Sequence, residues 1–186
     1  MNIWILTRPE YHQMHHIRRL KEEAEKSKIE FHLMDPNQFD IIVTKEGKKS
    51  IRYEGNDVQL PDCVISRISP VKNYFTQAVI RKLESLGVFT LNASTSMELA
   101  RDKLATLQCL AQHNIPIPKT MLAKFPLNIE SIEREFTYPL IFKSVSGSKG
   151  KGVFLCENRN KLEDIQDLLE MSNPKDIQAI LQEFIA

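Results

Sequence analysis

The stretch SVSGSKGKGV, residues 144 to 153, places three glycines, two lysines and three serines between the apolar runs YPLIFK and FLC. Glycine lets a backbone approach oxygen atoms closely, successive N–H groups can bind an anion, and hydroxyl and ammonium groups add donors. This combination predicts a phosphate-binding loop between two antiparallel strands. A solvated hairpin tip is the alternative interpretation.

The glycine spacing matches neither of the two best-known phosphate-binding motifs. Gly147 and Gly152 have the separation found in a Walker loop, but Val153 follows in place of the required lysine. A dinucleotide fingerprint opens a helix, whereas Gly150 and Gly152 precede the strand-like segment FLC. The first predicted strand is also followed by no glycine. The loop is therefore neither a Walker loop nor a dinucleotide-binding loop.

Two segments near the loop suggest what it binds. Lys143 ends the apolar run before the loop, where it can supply positive charge to a polyphosphate. A solvated strand end is the alternative for this lysine. Farther along the chain, AILQEF predicts a strand whose backbone groups and carboxylate can meet a flat base. Together these segments predict a nucleotide site.

The first part of the chain alternates strands with helices. IWIL, EFHLMDP, DCVISRIS and VFTLN are strand-like, and amphipathic helices separate them. FDIIVT and IRYEG predict a hairpin with Glu46-Gly47 at its turn. This order predicts a small open α/β sheet with parallel strands over residues 1–91.

The second part has a different pattern. Thr95 and Glu98 form a predicted capping box for one long helix that stops at Asn114. Short strands interrupted by two helices follow. This predicts an antiparallel α+β unit over residues 92–186.

Composition limits the function classes. The net charge of +1 gives no support for a nucleic-acid or membrane-surface partner. No apolar run is long enough to span a membrane, and the first residues do not resemble a signal peptide. The three cysteines are widely spaced, which favours free thiols and predicts a cytoplasmic protein.

The combination of ARDK, PLIFKSVSGSKGKGV and QEFI resembles the ATP-grasp ligases, most closely those of RimK type, which add glutamate to carboxylates. VISRIS, AVIRKLESLGVFTLN and ARDKLATLQCLAQHNIPIPKT extend the resemblance in the same order. The resemblance implies a pre-ATP-grasp domain followed by the first lobe of an ATP-grasp domain. It implies an ATP-dependent carboxylate–amine ligase, in which an amine attacks an acylphosphate.

The resemblance also implies residues that bind ATP. Lys143 would contact the α-phosphate and the adenine edge. Glu183 and Phe184 would lie at the hinge beside adenine and ribose, and the backbone of Phe184 or Ile185 would read the base. Lys103 is a further polar neighbour, with a solvated helix lysine as the alternative. The residues implied for the phosphate lid are Ser146, Gly147, Ser148, Gly150 and Gly152.

The family's Mg²⁺ ligands, an Asp, a Glu and an Asn, lie beyond the segment that this chain resembles. We therefore expect a front portion of a ligase, with no metal site or catalytic residue of its own and no turnover alone. An exposed final strand, ILQEFIA, would favour homo-oligomers. A non-catalytic nucleotide-binding or assembly module is the alternative. The acidic residues nearest the end predict surface charge and are Glu157, Asp164, Asp167 and Glu170.

Two other candidates have structural alternatives. Arg67, at the end of a predicted strand, could meet an anionic acceptor, either a small carboxylate or a protein C-terminus, or form a structural salt bridge. His12 and His16 lie four residues apart on a predicted helix, which is a metal-ligand spacing, but no third ligand supports it. A solvated helix face is favoured for these histidines.

Overall fold

The residues that the computed structural model describes are 1–45, 50–68, 74–145, 150–171 and 178–186. They divide into two compact units, Met1–Arg101 and Asp102–Ala186. The predicted α/β class, with a parallel sheet followed by an antiparallel sheet, is confirmed. No helix within the described ranges has both the length and the apolar composition needed to cross a membrane.

The first unit is built on a parallel sheet. Its elements, in chain order, are β1 (Asn2–Leu6), α1 (His15–Lys26), β2 (Glu30–Met34), β3 (Phe39–Ile41), β4 (Ile51–Tyr53), β5 (Asn56–Asp57), β6 (Cys63–Ser66), α2 (Tyr74–Ser85), β7 (Phe89–Leu91) and α3 (Ser94–Arg101). Four strands form the sheet in the order β2-β1-β6-β7, and all neighbours run parallel. Parallel neighbours need crossovers, which α1 supplies between β1 and β2 and α2 supplies between β6 and β7.

One face of this sheet carries the main core of the first unit. Because successive strand residues point to opposite faces, Trp4, Leu6 and Val64 project together from β1 and β6. They pack in one buried cluster with Val79 and Leu83 of α2, both of which are fully buried. Each such side chain contributes roughly 1.5–3 kcal/mol when it is fully buried. This core fixes α2 against the sheet.

A small antiparallel sheet of β3, β4 and β5 confirms the predicted hairpin. Phe39 pairs with Tyr53 across it. The predicted turn at Glu46-Gly47 lies outside the described residues. Strand β5 was not predicted, although Gly55, with a φ of 76°, marks the reversal before it.

The single long helix predicted after Thr95 is wrong, because the structure has two helices there. α3 ends at Arg101, and α4 (Lys103–Gln112) begins after Asp102. The backbone of Asp102 is extended, at φ −85° and ψ 111°, and its carboxylate accepts the N–H groups of Leu104 at 2.9 Å and Ala105 at 3.0 Å. Asp102 therefore caps α4 instead of continuing the preceding helix.

The predicted capping box of Thr95 and Glu98 is also wrong. α3 begins at Ser94, whose N–H and hydroxyl donate to the carboxylate of Glu84 at 2.8 and 2.6 Å. Arg81 donates to Glu98 at 2.5 Å, so this carboxylate serves an ion pair and not a helix cap. The start of α3 is thus held by a residue of α2.

The second unit is built on an antiparallel sheet covered by helices. After α4 its elements are β8 (Thr120–Lys124), α5 (Ile129–Glu135), β9 (Leu140–Ser144), β10 (Val153–Cys156), α6 (Arg159–Met171) and β11 (Gln178–Glu183). The strand order is β10-β9-β11-β8. The prediction that the final strand presents an exposed edge is wrong, because β11 pairs with β9 on one side and with β8 on the other.

The core of the second unit lies on one face of this sheet. Phe142 and Leu181 are buried there against Leu162 and Ile165 of α6 and Ile132 of α5. α5 and α6 therefore pack on this face. The side chains that form the candidate site project from the opposite face of the sheet.

The histidine and cysteine side chains belong to no metal-ligand group among the residues that the structure describes. α1 begins at His15, so the predicted placement of His12 and His16 on one helix is wrong. The three cysteines are free, as predicted, although only Cys156 is fully buried. Burial raises the pKa of the Cys63 and Cys156 thiols above the ordinary value, which keeps them protonated at neutral pH.

Candidate functional site

Three strands bring polar side chains together on the sheet face opposite the core. Lys143 follows Phe142 in β9 and therefore projects to the other face, where Ile180 of β11 is its direct neighbour. Gln182 lies two residues farther along β11 and directly opposite Thr120 of β8. Lys143, Gln182 and Thr120 thus occupy one side of the sheet.

These side chains form a continuous hydrogen-bond chain. Lys143 Nζ donates to Gln182 Oε1, and Gln182 Nε2 donates to Thr120 Oγ1 at 2.8 Å. Thr120 Oγ1 in turn donates to the Pro118 carbonyl at 2.8 Å. Because Gln182 is only 5% exposed, its amide depends on these partners. Lys143 is half-buried and bonded, so the alternative of a fully solvated strand end is wrong.

The base of the glycine-rich loop lies directly beside Lys143, which pairs with Val153. The Ser144 N–H donates to the Gly152 carbonyl at 2.8 Å and closes the predicted antiparallel hairpin. Gly152 has a φ of 74°, and a Cβ there would lie 3.0 Å from Ser144 Cβ, so glycine is required. Gly150 has a φ of 76° but has open space around it. The predicted lid residues that lie outside the described ranges are Ser146, Gly147 and Ser148.

Lys103 also contacts the start of this loop. Its Nζ donates to the Val145 carbonyl at 3.2 Å. Lys103 is the first residue of α4, directly after the capping Asp102, so the capped helix start fixes the position of its Cα. The alternative of a purely solvated helix lysine is wrong, because the side chain is half-buried and hydrogen-bonded to the loop.

The last strand ends in the predicted hinge residues. The Glu183 N–H donates to the Lys119 carbonyl at 3.0 Å, and the Lys119 N–H donates to Glu183 Oε1 at 2.8 Å. Glu183 therefore fastens the end of β11 to the residue before β8. Phe184 and Ile185 follow with exposed side chains.

Arg67 and the acidic residues do not belong to this group. Arg67 lies in the first unit, directly after β6, and is exposed. The described residues contain no group of three or more His, Cys, Asp or Glu side chains that could hold a metal ion. As predicted, the acidic side chains near the end of the chain are exposed: Glu157, Asp164, Asp167 and Glu170.

Sequence reasoning missed Gln182 and Thr120 as members of the site. Strand alternation in AILQEF does place Gln182 on the face of Ile180, so a sequence signal existed for its orientation. Its partner Lys143 is 39 residues away, and that contact depends on the pairing of β9 with β11. The pairing could not be derived from spacing.

Comparison with known families accounts for both units. The RimK PreATP-grasp domain matches residues 1–97, and the RimK-like ATP-grasp domain matches residues 100–186. The chain belongs to the RimK-like ATP-grasp family. A probable alpha-L-glutamate ligase of Teredinibacter turnerae is 33% identical over 186 residues, which is 100% of this chain and 60% of that protein. A probable alpha-L-glutamate ligase of Rhodopirellula baltica is 35% identical over 170 residues, covering 91% of this chain and 41% of that protein.

Solved structures show the same fold in other ATP-grasp proteins. A RimK domain ATP-grasp protein of Sphaerobacter thermophilus superposes with a TM-score of 0.71 at 20% identity, covering 100% of this chain and 64% of that chain. The ATP-grasp ligase PsnB in complex with a minimal precursor gives a TM-score of 0.72 at 19% identity, with 100% and 64% covered. This RimK-like chain therefore spans roughly half of the length of the family relatives it matches.

Proposed function

We propose that the second unit binds ATP on the polar face of its sheet, as part of a carboxylate–amine ligase of RimK type. The observation that carries the proposal is the Lys143 ammonium, held by buried Gln182 beside the hairpin that Gly152 closes. The names of the relatives, probable alpha-L-glutamate ligases, support the type of reaction. The activity of the whole protein is part of the proposal.

The groups at the loop base suit the phosphates of ATP. Among the described residues the Lys143 ammonium donates one N–H, to Gln182, which leaves two donors for phosphate oxygens. Lys103 adds a second positive charge at the loop start. The positive φ values of Gly150 and Gly152 allow the backbone to approach a ligand in a conformation that other residues rarely adopt.

The neighbouring sheet surface suits the base. Ile180 projects to the same face as Lys143, and the same alternation places Ile141, Leu122 and Leu155 on this face. Leu122 and Leu155 are 44% and 42% exposed, whereas Ile180 is already buried. A flat base placed on Leu122 and Leu155 would remove apolar surface from water, which is favourable. We assign recognition of the base edge to the backbone groups after Glu183.

Bound ATP supplies the phosphoryl group that activates an acceptor carboxylate for attack by the amine of glutamate or a similar amino acid. The chain's own contribution is positioning and positive charge, which dominate catalysis of phosphoryl transfer. The described residues do not offer a ligand set for Mg²⁺, so no step is assigned to a metal here. We propose that Mg²⁺ is held by the portion of the relatives that this chain does not span, and that the 186 residues alone do not turn over.

Calorimetric titration of the 186-residue chain with ATP, ADP and adenosine tests the binding proposal. We expect ATP and ADP to bind at least about tenfold more tightly than adenosine, because charged hydrogen bonds to phosphate are the strongest contacts in the site. Equal affinity for adenosine, or no heat with ATP, contradicts the proposal.

Phosphate release from ATP, with glutamate and a mixture of carboxylate acceptors, tests the reaction. We expect acceptor-dependent release from a full-length relative and none from the 186-residue chain. Nucleotide binding by both proteins without release from either would favour the non-catalytic binding module. Equal release from both would contradict the assignment of Mg²⁺ to the unspanned portion.

A further inference from the structure

The first unit has a topological switch point. The chain passes from β1 to its neighbour β2 on one side and from β6 to its neighbour β7 on the other, so the connections diverge between β1 and β6. In open parallel sheets, ligands bind outside the carboxyl ends of the strands at such a point. The Thr7 N–H donates to the Met34 carbonyl at 3.0 Å, and the Arg67 N–H donates to the Leu6 carbonyl at 2.9 Å. These bonds extend the pairing of β1 with β2 and with β6 by one residue.

A cavity of about 520 Å³ lies at this end of the first sheet. Its apolar lining includes Ile65 of β6, Leu91 at the end of β7 and Leu20 of α1. Arg67 and the two histidines of the first turn of α1, His15 and His16, add polar groups. The lining also contains Glu23, whose carboxylate is paired with Arg19 at 3.0 Å. The cavity therefore combines an aliphatic surface with an ion pair, a further arginine and hydrogen-bonding side chains.

Arg67 is a cation of this cavity that has no partner among the described residues. Within the described part of the chain its guanidinium has no hydrogen-bond or ion-pair partner, so the structural salt bridge considered for it is not formed. The other arginine of the cavity, Arg19, is paired with Glu22 at 2.8 Å and Glu23 at 3.0 Å. The positive charge left for a ligand thus belongs to Arg67.

One further feature favours an anion at this place. α1 begins after Met14, whose side chain supplies no cap, so the first N–H groups of this twelve-residue helix have no side-chain acceptor at Met14. By strand alternation Arg67 projects to the face of Ile65, which is the face that lines the cavity.

We propose that this cavity binds a carboxylate that carries an aliphatic group, with Arg67 holding the carboxylate and Leu20, Ile65 and Leu91 contacting the aliphatic part. A guanidinium fork matches the two oxygens of a carboxylate. One unpaired arginine suits a monoanion better than a polyphosphate. That this carboxylate is the acceptor of the ligase rests on the proposed function. It can come from a small free acid or from the C-terminus of a peptide.

Titration of the ¹⁵N-labelled 186-residue chain with four probes tests this site. The probes are N-acetyl-leucine, N-acetyl-leucinamide, and a hexapeptide ending in leucine as its free acid and as its amide. We expect the acids to shift the amides of Ile65, Arg67 and Leu91 and to bind at least about tenfold more tightly than the amides. The tighter of the two acids identifies the source of the carboxylate.

The matched variants are Arg67→Gln, Arg67→Lys and the control Arg18→Gln, which removes an exposed arginine of α1 outside this cavity. We expect Arg67→Gln to lose about tenfold or more in affinity for the acid, Arg67→Lys to be intermediate, and Arg18→Gln to bind as the parent does. Equal binding of acids and amides, unchanged binding by Arg67→Gln, or no binding of either acid overturns the proposal.

An ATP titration of the same proteins separates this proposal from the previous one. Arg67-dependent acid binding without ATP binding would support the carboxylate site and contradict the proposed nucleotide function. ATP binding without acid binding would contradict the carboxylate site alone. We expect both ligands to bind the parent chain, and Arg67→Gln to keep ATP binding unchanged.

Discussion

Lys143 combines a predicted role in ATP binding with an observed role in the fold, and substitution by Met separates the two. Lys143→Met removes the ammonium but keeps a long side chain. Its loss leaves Gln182 Oε1 without its donor in a residue that is 5% exposed. An unsatisfied buried acceptor costs about 1–3 kcal/mol. For a chain of this size that corresponds to a fall in Tm of about 2–12 °C. A fully solvated strand-end lysine would leave Tm unchanged, but Lys143 is half-buried and hydrogen-bonded.

The second variant, Lys143→Met with Gln182→Leu, removes both partners. Replacing both members of a hydrogen bond by apolar groups can be nearly neutral, so most of the lost stability should return. ATP affinity should not return, because the positive charge is still absent. A charged hydrogen bond contributes about 1.5–3 kcal/mol, so we expect a loss of about 10- to 100-fold in both variants.

Thermal unfolding and calorimetric ATP titration measure the two effects on the same samples. Lys161→Met on α6, which lies on the other side of the sheet, is the matched control and should change neither. ATP binding of the double variant equal to that of the parent would refute the role of Lys143 as a phosphate ligand. A double variant less stable than Lys143→Met would refute the orphaned-acceptor argument.

Two further predictions concern the loop base and the junction of α2 with α3. Gly152→Ala should destabilise the chain by about 1–2 kcal/mol and weaken ATP binding, because a Cβ at φ 74° would lie 3.0 Å from Ser144 Cβ. Gly150→Ala meets open space, so in a denaturant titration it should lower the free energy of unfolding by less. An equal loss of stability in the two variants would contradict this reasoning. Burial alone raises the pKa of Glu84, but hydrogen bonds from Ser94 and Thr90 outweigh it and lower the pKa below its usual value. Its contribution to stability is therefore present above the unfolded pKa of about 4.3 and lost as the pH falls through the folded pKa. Glu84→Gln should therefore lower the free energy of unfolding by about 1–2 kcal/mol at pH 7, and this loss should shrink toward pH 3. A difference in stability between variant and parent that does not change with pH would contradict the role of the Glu84 carboxylate.

The fold class followed from local patterns in the sequence. Strands alternating with helices predicted the parallel sheet, and short strands with glycine between them predicted the antiparallel one. The order of strands in the second sheet could not be predicted, because antiparallel pairing depends on contacts between distant segments. That is why ILQEFIA was expected at an edge, whereas β11 lies between β9 and β8.

The site was predicted in part for the same reason. Lys143 and Gly152 were recognised from their position beside the loop, which is a local property. The partner of Lys143, Gln182, was missed because only the pairing of β9 with β11 brings it close. The wrong prediction at Asp102 has a different, local cause. Asp is a favoured helix cap, but in ARDK it was interpreted as an interior residue of one long helix.

The central claim is that ATP binds on the polar face of the second sheet, and an amide-resolved titration tests it most directly. Unlabelled ATP is added to the ¹⁵N-labelled 186-residue chain, with adenosine as the phosphate-free control. We predict that ATP shifts the amides of Lys143, Gly150, Gly152 and Gln182, and that adenosine shifts those after Glu183 but not those of the two glycines. Saturating ATP that leaves Lys143, Gly152 and Gln182 unshifted would contradict the claim.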